Sequence, residues 1–436
     1  MIAPDFRTSD GIPGFLEVSH ALPIVDLDVI LTRGSILDPK GREGLTRILA
    51  RLMRRGPVGV DADTFDERLD RLGATLSVSV GPESMRITGS VIRRNLEPFL
   101  EAASSILRAP GLREDDFDKV KRTVEAELVQ ARDHDGSLAA RAFRRQLFGA
   151  HAYGRSVGGT LASTAKIELD AVRAAHAKLA RAPHLVIGLA GDVTADVAEP
   201  LIERAFGGLP RRALRQPPVE EPTMKPGRRV VLVDKPKRTQ SQIYVGTLGM
   251  KVGEPDHHAM IVANTAFGGT FTSRLMKEVR SERGWSYGAY SKLGADRQRE
   301  AWSMWTHPSA EQLVDCLALE LSLFERWWDR GLTTDEVRRA KRYLVKGHAF
   351  DLETAGKRLE PKLQTAALEL PDDWFDRYPE HVRKVSRAAA NDAVKARLSR
   401  DDLTIAVLAT ATPDLQRSLR ALPGVCDLRV IPYDQV

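Results

Sequence analysis

The second half of this chain repeats the plan of the first, and that repetition limits the fold more than any other feature. His184 to Pro210, HLVIGLAGDVTADVAEPLIERAFGGLP, reads as an apolar strand, a turn and an amphipathic helix. Leu403 to Gly424, LTIAVLATATPDLQRSLRALPG, has the same layout. Earlier in each half, ERLDRLGATLSVSV (67–80) parallels EVRSERGWSYGAYS (278–291). Self-similarity on this scale implies a duplicated structural unit. Strand-like and helix-like periods occur in both copies, so the predicted class is α+β, two homologous domains that each cover a mainly antiparallel sheet with helices. The expected domains are 1–215 and 229–436. A linker at 216–228 joins them, where Pro217, Pro218, Pro222 and Pro226 suit a semi-extended connector.

Within the first half, IVDLDVIL (Ile24 to Leu31) predicts a strand. Leu45, Ile48, Leu49 and Leu52 give the helix expected from Glu43 to Arg55 a buried stripe. A second helix is expected from Asp63 to Leu72, capped by Asp61 or Asp63. Strands Ala74 to Val80 and Ser84 to Val91 flank Gly81-Pro82 and predict a hairpin. The second half predicts strands Arg229 to Val233 and Ser241 to Leu248, then a helix from Pro255 to Phe267.

Composition sets the class of protein. Hydrophobic residues are 42% and charged residues 28%, the balance of an ordinary globular protein with real cores. The net charge of +6 is small for 436 residues, and clusters such as Arg141, Arg144 and Arg145 read as solvated helix faces, so no nucleic-acid partner is expected. No apolar run approaches a membrane span, and no membrane partner is expected. The start of the chain lacks a basic region followed by an apolar one, which predicts a cytoplasmic protein, with a periplasmic chain whose leader has been removed as the alternative. Cys316 and Cys426 are expected to be buried small hydrophobes, and the adjacent His257-His258 a solvated or capping feature.

The stretch Gly268 to Ser291, GGTFTSRLMKEVRSERGWSYGAYS, carries the candidate chemistry. It predicts a turn, a helix burying Leu275, Met276 and Val279, a break at Gly284 and then a strand. Arg280 on the helix and Tyr287 on the strand offer a fixed fork of donors and one rotatable donor. Two such donors beside an extended peptide suit its carbonyl oxygens. The plainer reading is an Arg280 paired with Glu278 or Glu282 and a Tyr287 that packs.

This stretch resembles the second-half signature of the pitrilysin/insulinase-like zinc metallopeptidases. Gly268, Gly269, Ser273, Arg274, Leu275, Arg280, Gly284 and Tyr287 fit it, and Trp285 stands where leucine is usual. Similarity extends over most of the chain, through Gly44-Leu45, His151-x-Tyr153-Gly154, Gly191-Asp192-Val193 and Phe206-Gly-Gly-Leu209-Pro210. The resemblance implies that Arg280 and Tyr287 hydrogen-bond a substrate backbone.

Active members of that family carry His-x-x-Glu-His on their first long helix, two imidazoles on one helix face with a general base beside them. The frame is present here as Gly44-Leu45-Thr46-Arg47-Ile48-Leu49-Ala50-Arg51, ending at Gly56. Arg47 and Arg51 stand at the histidine positions and Ala50 at the base. A guanidinium has no lone pair for a metal, and alanine accepts no proton. Glu127, 76 residues after Arg51, matches the family's third ligand. With the histidines gone, its expected role is a charge-assisted contact with Arg47 or Arg51, and the alternative is three solvated side chains.

An intact Arg/Tyr half joined to a degenerate zinc half implies, by resemblance, the zinc-less subunit of a heterodimeric metalloendopeptidase. No catalytic residue and no metal are expected in this chain alone. A homologous partner with His-x-x-Glu-His is expected to bring the zinc, and this chain Arg280 and Tyr287 for the peptide. The alternative is a non-enzymatic scaffold or peptide-binding homologue, similar to core subunits of respiratory complexes. No Gly-x-Ser-x-Gly elbow or cysteine–base pair supports a stand-alone hydrolase of another kind.

Overall fold

A computed structural model describes residues 2–213 and 219–436. Most of the expected linker lies in that described range, while Pro217 and Pro218 fall outside it.

The first sheet contains β1 (Phe6–Arg7), β2 (Pro13–Val18), β3 (Ile24–Leu31), β4 (Thr75–Val80), β5 (Met85–Ile92) and β6 (Leu185–Gly191), in the order β1-β2-β6-β3-β5-β4. The second half adds β7 (Arg228–Asp234), β8 (Gln242–Leu248), β9 (Met250–Lys251), β10 (Ala289–Leu293), β11 (Ala295–Asp296), β12 (Ala301–Thr306), β13 (Thr404–Ala409) and β14 (Val425–Pro432). Its main sheet runs β10-β12-β8-β13-β7-β14, and β9 and β11 form a separate short parallel pair.

Reversed, the second order matches the first strand for strand. The parallel pair β2-β6 corresponds to β7-β13, and the antiparallel steps β6-β3-β5-β4 correspond to β13-β8-β12-β10. The copies differ at the far edge, where β1 is antiparallel to β2 but β14 is parallel to β7. The duplicated α+β unit expected from the sequence is therefore present. Its repeat alignment holds at the backbone: Gly73 and Gly284, matched in sequence, both have positive φ, +61° and +67°.

The chain forms two compact units, and each is assembled from three segments. One contains Met1–Leu128, Ser156–Pro218 and Ala349–Asp376; the other contains Val129–Arg155, Val219–His348 and Arg377–Val436. The expected contiguous domains thus trade one helix each. The helix Asp135–Phe148 packs on β8 and β13 of the second sheet, and the helix Ala355–Leu368 packs on β2 and β6 of the first. A glycine makes room in each case. A Cβ on Gly188 would lie 2.8 Å from Leu359 and 2.9 Å from Leu363, and a Cβ on Gly246 would lie 2.8 Å from Phe143. Polar contacts fix both helices. Glu360 and Asp28 share the Arg86 guanidinium, and Lys235 Nζ donates to Asp135 at 2.7 Å.

Each unit has its own core on the other face of its sheet. In the first, Leu45, Ile48, Leu49 and Leu52 pack with Val25, Leu27, Phe65 and Phe99. In the second, Phe267, Trp302, Phe324 and Trp327 form an aromatic nest with ring centroids 4.3–6.2 Å apart. Cys316 is buried there as expected, but Cys426 is exposed, next to a register shift where β14 pairs with β7. His257 and His258 are buried, because the helix they open lies under its neighbours, and His258 stacks on His381 with centroids 4.7 Å apart. Glu320 on the helix Leu313–Arg330 is fully buried, with the Thr306 side chain beside its carboxyl group. Burial pushes its pKa up to about 8.

Candidate functional site

The helix at the degenerate zinc frame begins after Gly44, whose φ of +95° turns the chain inward. Asp38 caps it. Its carboxylate accepts from Gly44 N–H at 2.9 Å, from Thr46 N–H at 3.0 Å and from the Thr46 hydroxyl at 2.5 Å. Those contacts satisfy N–H groups that a helix start leaves unpaired. Helix Leu45–Met53 buries Ile48, Leu49, Leu52 and Met53, which turns Arg47 and Arg51 together to the opposite side.

Glu127 projects from the helix Glu114–Gln130 toward both. Its Oε2 accepts from Arg47 Nη2 at 2.5 Å and from Arg51 Nη2 at 2.7 Å. The expected choice between Arg47 and Arg51 resolves as both, one carboxylate oxygen shared by two cations. The three side chains are 26%, 33% and 36% exposed, so this is a half-buried cluster with a net positive charge. Burial first, and then the neighbouring Arg51 charge, draws the Arg47 guanidinium below its ordinary pKa. The cluster opens on a cleft of about 330 Å³ lined by Ala50, by Val78 to Val80 of edge strand β4, and by Gly158. Arg47 also donates to Gly158 O at 3.5 Å.

These residues do not fit zinc. The two donors at the helix face are cations without lone pairs, and Ala50 offers no base. Among the described residues, no three His, Cys, Asp or Glu side chains converge as metal ligands.

The Arg280 and Tyr287 segment is built differently from its expected form. The predicted helix is a short turn, Arg274–Met276, continuing as a π-helical turn, Lys277–Ser281, that buries Leu275, Met276 and Val279. Arg280 lies in that π turn. The predicted strand position of Tyr287 is corrected. Tyr287 sits on a bend, and β10 begins only at Ala289. The cause is Ser286, whose hydroxyl donates to Gly288 O at 2.7 Å and accepts from His307 N–H at 3.1 Å. That side-chain contact takes the place of strand pairing and pushes Tyr287 outward, leaving it 81% exposed.

The supports around this bend are rigid. Ser291 N–H donates to Gly268 O at 2.9 Å, and a Cβ on Gly268 would lie 2.4 Å from the Ser291 hydroxyl, so only glycine fits the first position of the Gly-Gly turn. Asn264 Oδ1 accepts from Ser291 Oγ at 2.7 Å and from Trp302 Nε1 at 2.9 Å, which ties three elements together inside the core. The plainer reading of Arg280 and Tyr287 is not what the structure contains. Glu278 pairs with Arg283 at 2.9 Å, Glu282 lies 3.5 Å from Lys277, and Arg280 has no carboxylate partner among the described residues. Its guanidinium instead lies over the Phe271 ring, a neighbour that no motif or periodicity singles out. No hydrogen bond joins Arg280 to Tyr287 among the described residues, so both donor groups remain available.

Comparison with known proteins matches the family profile "Insulinase (Peptidase family M16)" to residues 16–161 and "Peptidase M16 inactive domain" to residues 166–344. The chain belongs to peptidase family M16. Among curated M16-like relatives it is 24% identical over 404 residues to "Non-peptidase homolog YmxG" of Helicobacter pylori, covering 92% of this chain and 93% of that protein. It is 26% identical over 356 residues to an uncharacterised zinc protease of Streptomyces coelicolor, covering 79% and 77%. A crystal structure of an M16 inactive domain from Pseudomonas fluorescens has the same fold, with a TM-score of 0.87 at 24% identity, covering 93% of this chain and 97% of that one. The chain contains no His-x-x-Glu-His, and helix Leu45–Met53 carries Arg47, Ala50 and Arg51. No described helix is long and apolar enough to cross a membrane.

Proposed function

We propose that this chain is the zinc-less subunit of a two-subunit M16 endopeptidase and that Arg280 and Tyr287 hold the backbone of the substrate peptide. The observation that carries this reading is the pairing of two unengaged donors with a rigid support. Among the described residues Arg280 has no carboxylate partner, Tyr287 stands in solvent, and the backbone between them is held by Ser286, Asn264 and Gly268. Donors held ready without an internal acceptor suit carbonyl oxygens of an extended peptide. Edge strand β10, which begins two residues after Tyr287, leaves main-chain groups open for such a peptide to pair with.

Zinc chemistry belongs to the partner in this reading. The partner is an M16 homologue with intact His-x-x-Glu-His, and it brings the metal and the water-activating glutamate. The contribution of this chain is positioning. It fixes register and orientation of the scissile bond, which converts binding energy into rate. The name of the Helicobacter pylori relative, a non-peptidase homolog, is in keeping with a chain that cleaves nothing alone.

The test is hydrolysis of an unstructured peptide by this chain alone and mixed with a homologue bearing the intact motif, with and without chelator. Cleavage only in the mixture and abolished by chelator is the expected result. Chelator-sensitive cleavage by the chain alone would overturn it, and no cleavage in either case would favour the non-enzymatic scaffold.

A further inference from the structure

A second recognition feature lies where the helix Leu313–Arg330 ends and the helix Thr334–Asp351 begins. The side chains there bound a cleft of about 550 Å³. Its three acids are already engaged. Glu336 accepts from Arg274 through both oxygens at 2.8 Å and from Thr333 N–H at 2.8 Å. Asp335 pairs with Arg338, and Glu278 pairs with Arg283 at 2.9 Å.

The cations are not matched in the same way. Arg326, Arg330, Arg339 and Arg387 all line the cleft and are exposed. Among the described residues, none of these four guanidiniums has an ion-pair or hydrogen-bond partner. Lys277 adds a fifth positive charge, with only Glu282 at 3.5 Å beside it. The placement of Arg387 is unfavourable on local grounds. It is the first residue of the helix Arg387–Arg397, where its charge opposes the positive end of the helix dipole. Arg326 and Arg330 suit the end of their helix, but Arg387 calls for an anion in front of it.

We propose that this cleft binds a run of phosphoryl groups, the chemistry shared by free polyphosphate and by the triphosphate of a nucleotide. Guanidinium forks match phosphate oxygens bidentately, and a concave site concentrates the field of several like charges. Charge density favours phosphates over an acidic peptide. A terminal phosphoryl group carries about −1.5 to −2 charges on three oxygens, whereas an acidic peptide brings one charge per residue on a flexible stem. The cleft binds and does not hydrolyse, because it has no free carboxylate to hold a divalent cation or to activate water. This inference does not depend on the role of Arg280 and Tyr287.

Isothermal titration of the full chain with sodium triphosphate at fixed ionic strength tests it. ATP, sodium sulfate and a hexaglutamate peptide are the comparison ligands. Saturable one-to-one binding of triphosphate is expected, weakened at least tenfold by Arg330→Gln combined with Arg387→Gln. Arg429→Gln, an exposed substitution outside the cleft, should leave it unchanged. Equal binding of ATP and triphosphate would place recognition on the phosphates alone, and tenfold tighter ATP would name a nucleotide as the source. Sulfate binding as well as triphosphate, hexaglutamate binding more tightly, or unchanged binding by the double variant would each overturn the proposal. The four arginines are exposed, so an unchanged melting temperature checks that the variants fold.

Discussion

The Arg280 guanidinium carbon lies 4.7 Å from the centre of the Phe271 ring, and among the described residues that guanidinium has no ion-pair or hydrogen-bond partner. A cation–π contact at an exposed site is worth about 0.5–1 kcal/mol. Phe271→Ala should therefore lower kcat/KM of the proposed two-subunit peptidase about two- to fivefold, with only a small drop in melting temperature. Arg280→Ala should cost more, and Arg280→Lys should not restore activity because it lacks the planar fork. Wild-type activity in Phe271→Ala beside a damaged Arg280→Ala would show that the ring does not hold the arginine.

Tyr287→Phe removes one oxygen from a side chain that touches little else. A single neutral hydrogen bond contributes about 0.5–1.5 kcal/mol, so cleavage should fall roughly two- to twelvefold. Zinc content of the partner should stay the same. Equal rates for both proteins would remove Tyr287 from the substrate site.

The shared oxygen of Glu127 has a use in redesign. Arg47→His, Ala50→Glu and Arg51→His together restore the inverted zinc motif on a helix face that already points at Glu127. One zinc per chain is expected by elemental analysis, lost again when Glu127→Gln is added. A folded triple variant that binds no zinc would mean the carboxylate cannot reach the ligand position.

Glu127 also balances two neighbouring cations. Glu127→Ala should lower stability by about 1 kcal/mol, a modest figure because all three side chains are partly in water. Adding Arg51→Ala should recover part of that loss, since it removes the repulsion left behind. Urea midpoints of the single and double variants measure both effects, and strict additivity would contradict the coupling.

Glu320 predicts a pH dependence. Its folded pKa of about 8 lies above the ordinary 4.5, so the native state keeps a proton that the unfolded chain gives up. Stability therefore falls as pH rises from about 4.5 to about 8 and levels off above that. Glu320→Gln should abolish this part of the slope. Parallel urea midpoints for both proteins between pH 5 and pH 8 would rule it out.

Much of this architecture is legible in the sequence because burial imposes a period on it. The strand β3 and the stripe of helix Leu45–Met53 follow directly from apolar spacing, and the shared order of the two sheets follows from the repeat. The first two strands are not legible. No apolar period marks Phe6–Arg7 or Pro13–Val18, and Gly14 is there because the Phe6 ring lies over it, where a Cβ would come within 2.2 Å. The bend at Tyr287 depends on His307, twenty residues away, and the seat of Arg280 depends on Phe271, nine residues back. Such contacts leave no mark on local periodicity. Exposure of Cys426 has the same origin, because it follows from a shifted register between β14 and β7. The frame around Arg47, Ala50 and Arg51 was readable by resemblance alone, and its pairing with Glu127 by charge.

The traded helices set a timetable for synthesis. The first unit needs Ala349–Asp376, so the ribosome must make more than four-fifths of the chain before that unit can close. Until then Phe15, Ile30, Val186 and the face of Gly188 have no Leu359 or Leu363 to cover them. A nascent chain with such a face exposed for so long is a natural client for chaperones. Cutting the gene at the linker would give two fragments that are each missing a helix, and neither would be expected to become soluble unless the other were made beside it.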